Sequence, residues 1–176
     1  MTAADLGLGP RPALDVLGDP ERVRAVERLI AAGPSGRGVQ RLTVLTARLL
    51  DAPCAQVSLL GEREQLVAAA VGVPPFADAP GSPVKDSLCS VTAALGRPLA
   101  VEDAAGHPWV YDLPPVTSGA VSAYLGVVLT DAAGHVLGSL CVYGSQPRRW
   151  RDEDCETLTA VAEAVAEELE DLADQR

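Results

Sequence analysis

Two apolar runs late in the chain, Ser122 to Thr130 and Val136 to Tyr143, flank the tetrapeptide Asp131-Ala132-Ala133-Gly134. Asp and Gly are turn residues, so this stretch reads as a strand folding back on a second strand. A hairpin makes antiparallel neighbours, and the remaining elements must pack around such a sheet. A second pair lies earlier. Cys54 to Leu60 alternates, with Ala55, Val57 and Leu59 on one face, and Leu66 to Val71 is apolar on both faces, the pattern of a covered strand. The polar turn Gly61-Glu62-Arg63-Glu64 joins them. Pro98 to Glu102 is a short further strand.

Helices fill the gaps. Asp19-Pro20-Glu21 is a start signal: Asp19 can cap free amides and Pro20 loses nothing at the first helical position. Val23, Val26, Leu29 and Ile30 follow at helical spacing, and Gly33-Pro34 ends the segment. A second helix carries the stripe Val39, Leu42, Leu45 and Leu49, stopped by Asp51-Ala52-Pro53. Ser87 to Leu95 is a third, ended by Gly96. A last helix runs from about Asp152 toward Leu172, with Leu158, Val165 and Leu172 recurring every seven residues and Ala162 and Leu169 beside them. The order predicts an α+β fold, an antiparallel sheet with helices packed on its faces. Residues 1–18, with two Pro and three Gly, read as a flexible N-terminal tail. Residues 19–176 read as one domain with a core over about 39–172. Two connections are long, 72–86 and 103–119, and long loops in small domains often carry function.

Charge limits the partners. Fourteen basic residues against twenty-four acidic ones give a net charge of −10. Nucleic acid, which needs clustered cations to neutralise phosphates, is not an expected partner. The acidity has one address: from Asp152 to Asp174 there are ten acidic residues and no basic one. That helix therefore points to a partner with a basic or mixed surface. No apolar run approaches the roughly 18 residues of a membrane span, and the first twenty residues lack a signal-peptide pattern. The four cysteines, Cys54, Cys89, Cys141 and Cys155, are dispersed, as expected of thiols in a reducing cytoplasm.

A chain of linked signatures carries a family resemblance. They are Ser87-Leu88-Cys89, Pro98-Leu99-Ala100-Val101-Glu102-Asp103-Ala104, His107-Pro108, Ala123-Tyr124-Leu125-Gly126-Val127-Val128-Leu129, Gly134-His135-Val136-Leu137-Gly138-Ser139-Leu140-Cys141-Val142 and Pro147-Arg148-Arg149-Trp150. In order and spacing the stretch Leu42 to Leu169 resembles a GAF domain, a sensory module common in bacterial signalling proteins. The resemblance implies a five- to six-stranded antiparallel sheet with helices on both sides, and a small-molecule pocket between the sheet and the two long loops. It also implies terminal helices that join across a dimer. Many relatives carry an Arg and a large aromatic where this chain has Ser122 and Ala123, so the pocket is expected to be less charged.

Within that frame the candidate ligand-binding residues are Cys89, Asp103, His107, Trp109, Tyr111 and Tyr124. Asp103 could accept from a ligand amine or cap the 104–107 turn. Tyr124 could bond a ligand or simply pack with its hydroxyl at the sheet edge. Trp109 and Tyr111 could form a lid. Cys89 with His107 is the one attractive nucleophile–base pairing. A haem axial ligand from His107 or Cys89, or a bilin on Cys89, is a minor alternative, and no cofactor is expected. Zinc lacks a ligand set. The reductases acting on free methionine sulfoxide resemble this fold but place clustered cysteines in the pocket loops; 72–86 and 103–119 hold none. Arg148, Arg149 and Arg151 are expected to form surface pairs. The seam Leu158, Ala162, Val165, Leu169 and Leu172 is expected to join a homodimer. No output segment follows the last helix, so the expected function is sensing of a small molecule, signalled through a separate partner protein. The alternatives are a ligand-free interaction module and an enzyme using Cys89.

Overall fold

A computed structural model describes residues 7–72 and 81–176. Six strands form one antiparallel sheet: β1 (Cys54–Leu60), β2 (Glu64–Val71), β3 (Ser82–Pro83), β4 (Leu99–Val101), β5 (Ala123–Thr130) and β6 (Val136–Gly144). Their order across the sheet is β3-β2-β1-β6-β5-β4. The two expected hairpins are both present, and β1 and β6 join them at the centre, paired from Cys54↔Tyr143 to Leu59↔Gly138. A Cβ at Gly138 would lie 1.8 Å from the Ser58 carbonyl oxygen, so this central pairing requires glycine there.

One face of the sheet is covered by α1 (Pro20–Ala32), α2 (Arg37–Leu49) and α5 (Asp152–Asp174). The other is covered by α3 (Leu88–Leu95) and by the connection that includes α4 (Pro114–Thr117). Local signals set the helix ends as expected. Asp19 accepts from the Arg22 amide at 2.8 Å, and Gly33 closes α1 with a left-handed φ of 76°. Ser87 caps α3 through the Cys89 amide, and Gly96 closes it. β3 and α4 carry no periodic pattern. One has two residues and the other is a single turn opened by two prolines.

Three expectations change. First, α2 buries Val39, Thr43, Thr46 and Ala47, while Leu45 and Leu49 are 44% and 54% exposed. The threonine hydroxyls donate to the Val39 and Leu42 carbonyls at 2.8 and 2.7 Å, which lets polar side chains face the core with their bonds made. Second, the α5 seam faces this chain's own sheet. Leu158, Ala162, Val165 and Leu169 are at most 3% exposed within a core shared with β1, β5 and β6, and Leu172 packs on its edge. A heptad stripe also fits the apolar face of a helix lying on a sheet.

Third, a loose tail was expected over residues 1–18; residues 1–6 fall outside the described residues, and the segment is docked from Gly9 onward. Leu17 is buried, the Trp109 indole donates to the Gly9 carbonyl at 2.9 Å, and Arg11 pairs with Asp112. Buried Arg22 of α1 anchors this arrangement. Its guanidinium donates to the carbonyls of Leu17, Leu60, Gly61 and Val136, at 2.5–3.1 Å. Burial lowers its pKa and nearby Asp19 opposes that shift, while carbonyl dipoles stand in for a carboxylate partner.

Leu158→Ala is expected to lower unfolding stability by about 2–5 kcal/mol in a urea titration. Leu45→Ala, on the exposed side of α2, should stay within about 0.5 kcal/mol.

Candidate functional site

The central strands alternate, and the alternation makes two unlike surfaces. Ala55, Val57, Leu140, Val142, Leu125 and Val127 point to α1, α2 and α5. On the opposite face lie Gln56, Ser58, Ser139, Cys141, Tyr143 and Tyr124, all buried beneath α3. Gln56 of β1 stands beside Cys141 of β6, and Cys141 beside Gly126 of β5. Gly126 leaves the space that the Tyr124 ring occupies: a Cβ there would lie 2.2 Å from the tyrosine oxygen. The Tyr124 hydroxyl is 2.8 Å from Thr92 Oγ1 on α3 and 3.7 Å from Cys89 Sγ.

A cavity of 310 Å³ opens over this polar face. Gln56, Cys141 and Tyr143 line it from the sheet, and Ser87, Leu88 and Cys89 line it from α3. Asp86 and Ser82 stand on one side, with Pro114, Pro115 and Ser118 on another. The cavity thus lies between the sheet and parts of both long connections, 72–86 and 103–119; residues 73–80 of the first fall outside the described residues. Much of its polar wall is bonded internally. Ser87 Oγ donates to Gln65 Oε1 at 2.6 Å, and Gln65 Nε2 donates to Ser82 Oγ at 3.0 Å. Gln56 Nε2 donates to Ser58 Oγ at 2.7 Å, whereas Gln56 Oε1, fully buried, has no partner among the described residues. The described lining includes one carboxylate, Asp86, and no Lys, Arg or His.

Two thiols meet at the base of the cavity. Cys89 Sγ and Cys141 Sγ are 3.8 Å apart, and no disulfide links them. The Cys141 thiol holds Cys89 below the ordinary thiol range against the opposing effect of burial, assisted by the hydroxyls of Tyr124, Ser58 and Ser139. Cys141 is pushed up in turn by that hydrogen bond to Cys89 and by burial.

Of the six residues singled out from sequence, Cys89 and Tyr124 line the cavity. Tyr124 bonds inside the fold, to Thr92. Asp103 is exposed, neither lines the cavity nor caps its turn, and the Ala104–Gly106 turn has no side-chain cap. His107 is buried elsewhere: its Nδ1 accepts from the Trp109 amide at 3.2 Å, and burial lowers its pKa. It is not a base for Cys89. Trp109 is buried against the N-terminal segment and Tyr111 is 55% exposed, so neither is a lid; α4 borders the cavity instead. Arg151 does pair with Glu153 and Asp154, but Arg148 stacks on Trp150 and donates to the Leu50 and Asp51 carbonyls. Gln56, Gln65, Asp86 and Ser87 were not anticipated. Polar Gln56 and Ser58 interrupt an apolar strand at period two, and that interruption was the available signal.

A family model for the GAF domain matches residues 37–169, three quarters of the chain. The chain belongs to the GAF family. Solved structures give the same fold at low identity. The GAF domain from a Coxiella burnetii phosphoenolpyruvate-protein phosphotransferase is 15% identical at a TM-score of 0.65, with 88% of this chain and 95% of that one covered. Free methionine-R-sulfoxide reductase from Neisseria meningitidis, in complex with its substrate, is 16% identical at 0.62, covering 91% and 89%. The GAF-B domain of DevS from Mycobacterium smegmatis is 17% identical at 0.60, covering 78% and 93%. No curated protein matches the chain significantly. Among the described residues no helix is long and apolar enough to cross a membrane, and no group of three or more His, Cys, Asp or Glu could hold a metal.

Gly126→Ala is expected to displace the Tyr124 ring and cost about 1–3 kcal/mol of stability. Tyr124→Phe should cost only about 1 kcal/mol, since Thr92 retains its bond to the Leu88 carbonyl. Urea midpoints of the two variants would check that order.

Proposed function

We propose that this GAF domain is a sensory or regulatory module that binds a small uncharged or cationic molecule and acts through a separate partner protein. The observation that carries this reading is the buried acceptor Gln56 Oε1, left without a partner in the wall of a 310 Å³ cavity. A buried polar atom is costly unless bonded; Gln56 Oε1 has no accessible surface in the present side-chain position, and a turn of the amide toward the cavity would let a ligand donor satisfy it. With Asp86 and no cation in the described lining, the cavity disfavours phosphates and carboxylates. Its volume is at the small end of the usual ligand range. With no His in the described lining, a haem reading rests on the thiols of Cys89 and Cys141 and is not favoured. Family membership and the sensor proteins among the structural neighbours support the regulatory role.

The acidic outer face of α5, with exposed Glu156, Glu163, Glu167 and Asp171, is the proposed contact for a partner with a basic surface in the cytoplasm. With the α5 seam enclosed, the homodimer is proposed on the outer face of α2 at Leu45 and Leu49. Replacing both leucines by Asp should then yield monomer in sedimentation; an unchanged dimer would remove that interface.

Ligand binding is tested by thermal shift over a panel of small neutral, cationic and anionic metabolites. At a hundred times its dissociation constant a ligand adds about 2.7 kcal/mol, or roughly 5–10 °C in melting temperature. Neutral or cationic compounds should give that shift and Gln56→Leu should abolish it. Preferential binding of anions, or no shift from any compound, would overturn the reading.

A further inference from the structure

The pair of thiols is a feature that ligand sensing does not use. Cys89 opens α3 and Cys141 lies in β6, so they are 52 residues apart in sequence yet 3.8 Å apart at sulfur. Both line the cavity, where Cys89 is 3% and Cys141 1% exposed, so a small molecule meets the pair only from the cavity side. Polar hydrogens meet at these sulfurs: the Tyr124 hydroxyl reaches Cys89 Sγ at 3.7 Å, and the two thiols reach each other at 3.8 Å. A structural thiol packed in hydrocarbon has none of these donors and is inert. Here the donors stabilise the negative sulfur of one thiol while a second thiol waits within reach. Susceptibility of cysteine to oxidation follows thiolate character and access, and a neighbouring thiol resolves the first product.

We propose that Cys89 and Cys141 form a redox-active dithiol site that reacts with a small hydroperoxide entering the cavity. The Cys89 thiolate attacks the terminal peroxide oxygen. An S–O bond forms as the O–O bond breaks, and the departing alkoxide or hydroxide takes the proton that Cys89 gave up. The product alcohol or water leaves, and Cys89 is a sulfenic acid. Cys141 sulfur then attacks Cys89 Sγ. The S–S bond forms, the S–O bond breaks, and the departing hydroxyl leaves as water with the Cys141 proton. Two thiols have lost two electrons and the peroxide has gained them. The sulfurs must close from 3.8 Å to the bonding distance of about 2.05 Å. The bridge then ties α3 to β6 through the wall of the cavity. The site stands on the juxtaposed thiols and the donors around them and does not depend on the ligand reading of the same cavity.

Hydrogen peroxide added to the reduced full chain tests this directly, with free thiols counted by alkylation and linkages mapped by mass spectrometry. The expected result is loss of two of the four thiols, a mass lower by two hydrogen atoms, and a dithiothreitol-reversible Cys89–Cys141 peptide. Cys141→Ser should stop at a dimedone-trappable sulfenic acid on Cys89, and Cys89→Ser should leave Cys141 unreacted. Cys54→Ser and Cys155→Ser, with the circular dichroism of the parent, should still form the bridge. Mapping in the unmutated chain keeps the test independent of how the variants fold. A linkage through Cys54 or Cys155, unchanged oxidation of Cys141 in Cys89→Ser, or survival of all four thiols in excess peroxide would each overturn the proposal.

Discussion

The two-residue period of the three central strands is the constraint on which the rest of the molecule depends. Successive side chains of a strand point to opposite faces, so each residue of β1, β5 and β6 goes to one of two compartments. Aliphatic residues fill the compartment under α1, α2 and α5. Glutamine, serine, cysteine and tyrosine fill much of the other. A one-residue slip would exchange the two sets. Gly138, in contact with the Ser58 carbonyl, requires the central pairing to stay in register.

The polar compartment shapes everything above it. Aliphatic side chains on both sides would pack into a dry core, but here α3 rests on hydroxyls, thiols and amides. Bonds such as Thr92–Tyr124 and Ser87–Gln65 satisfy many of these groups. Gln56, whose Oε1 has no partner among the described residues, lines the cavity together with the two cysteines, whereas the unbonded hydroxyls of Ser90 and Ser139 lie away from it. The side held by Arg22 is different in kind. There one guanidinium draws together carbonyls from three parts of the chain and pins the N-terminal segment to the sheet.

How far the sequence could be read depends on the range of the forces involved. Asp19, Gly33, Ser87 and Gly96 announced helix ends through contacts only a few residues away. Both hairpins were visible because their strands are joined by short turns, and the linked signatures of the later half identified the GAF family. The orientation of helices was less legible. Thr43 and Thr46 reach the core because each bonds to its own helix, which a polarity pattern does not register. The heptads of α5 read equally as a seam between copies and as the underside of a helix on a sheet.

The site was legible only in part, because its members are neighbours in space and not in sequence. Tyr124 and Cys89 stood inside recognisable motifs, yet Asp103, His107, Trp109 and Tyr111 belong to the same connection without facing the cavity. Gln56 looked like one polar residue in an apolar strand. The sequence by itself determined an α+β chain of antiparallel hairpins and capped helices, with its excess of acid on one terminal helix. Only the tertiary structure decided which face each helix buries and brought Cys89 beside Cys141. Local spacing sets backbone conformation, whereas a contact between α3 and β6 depends on how the whole sheet pairs and twists.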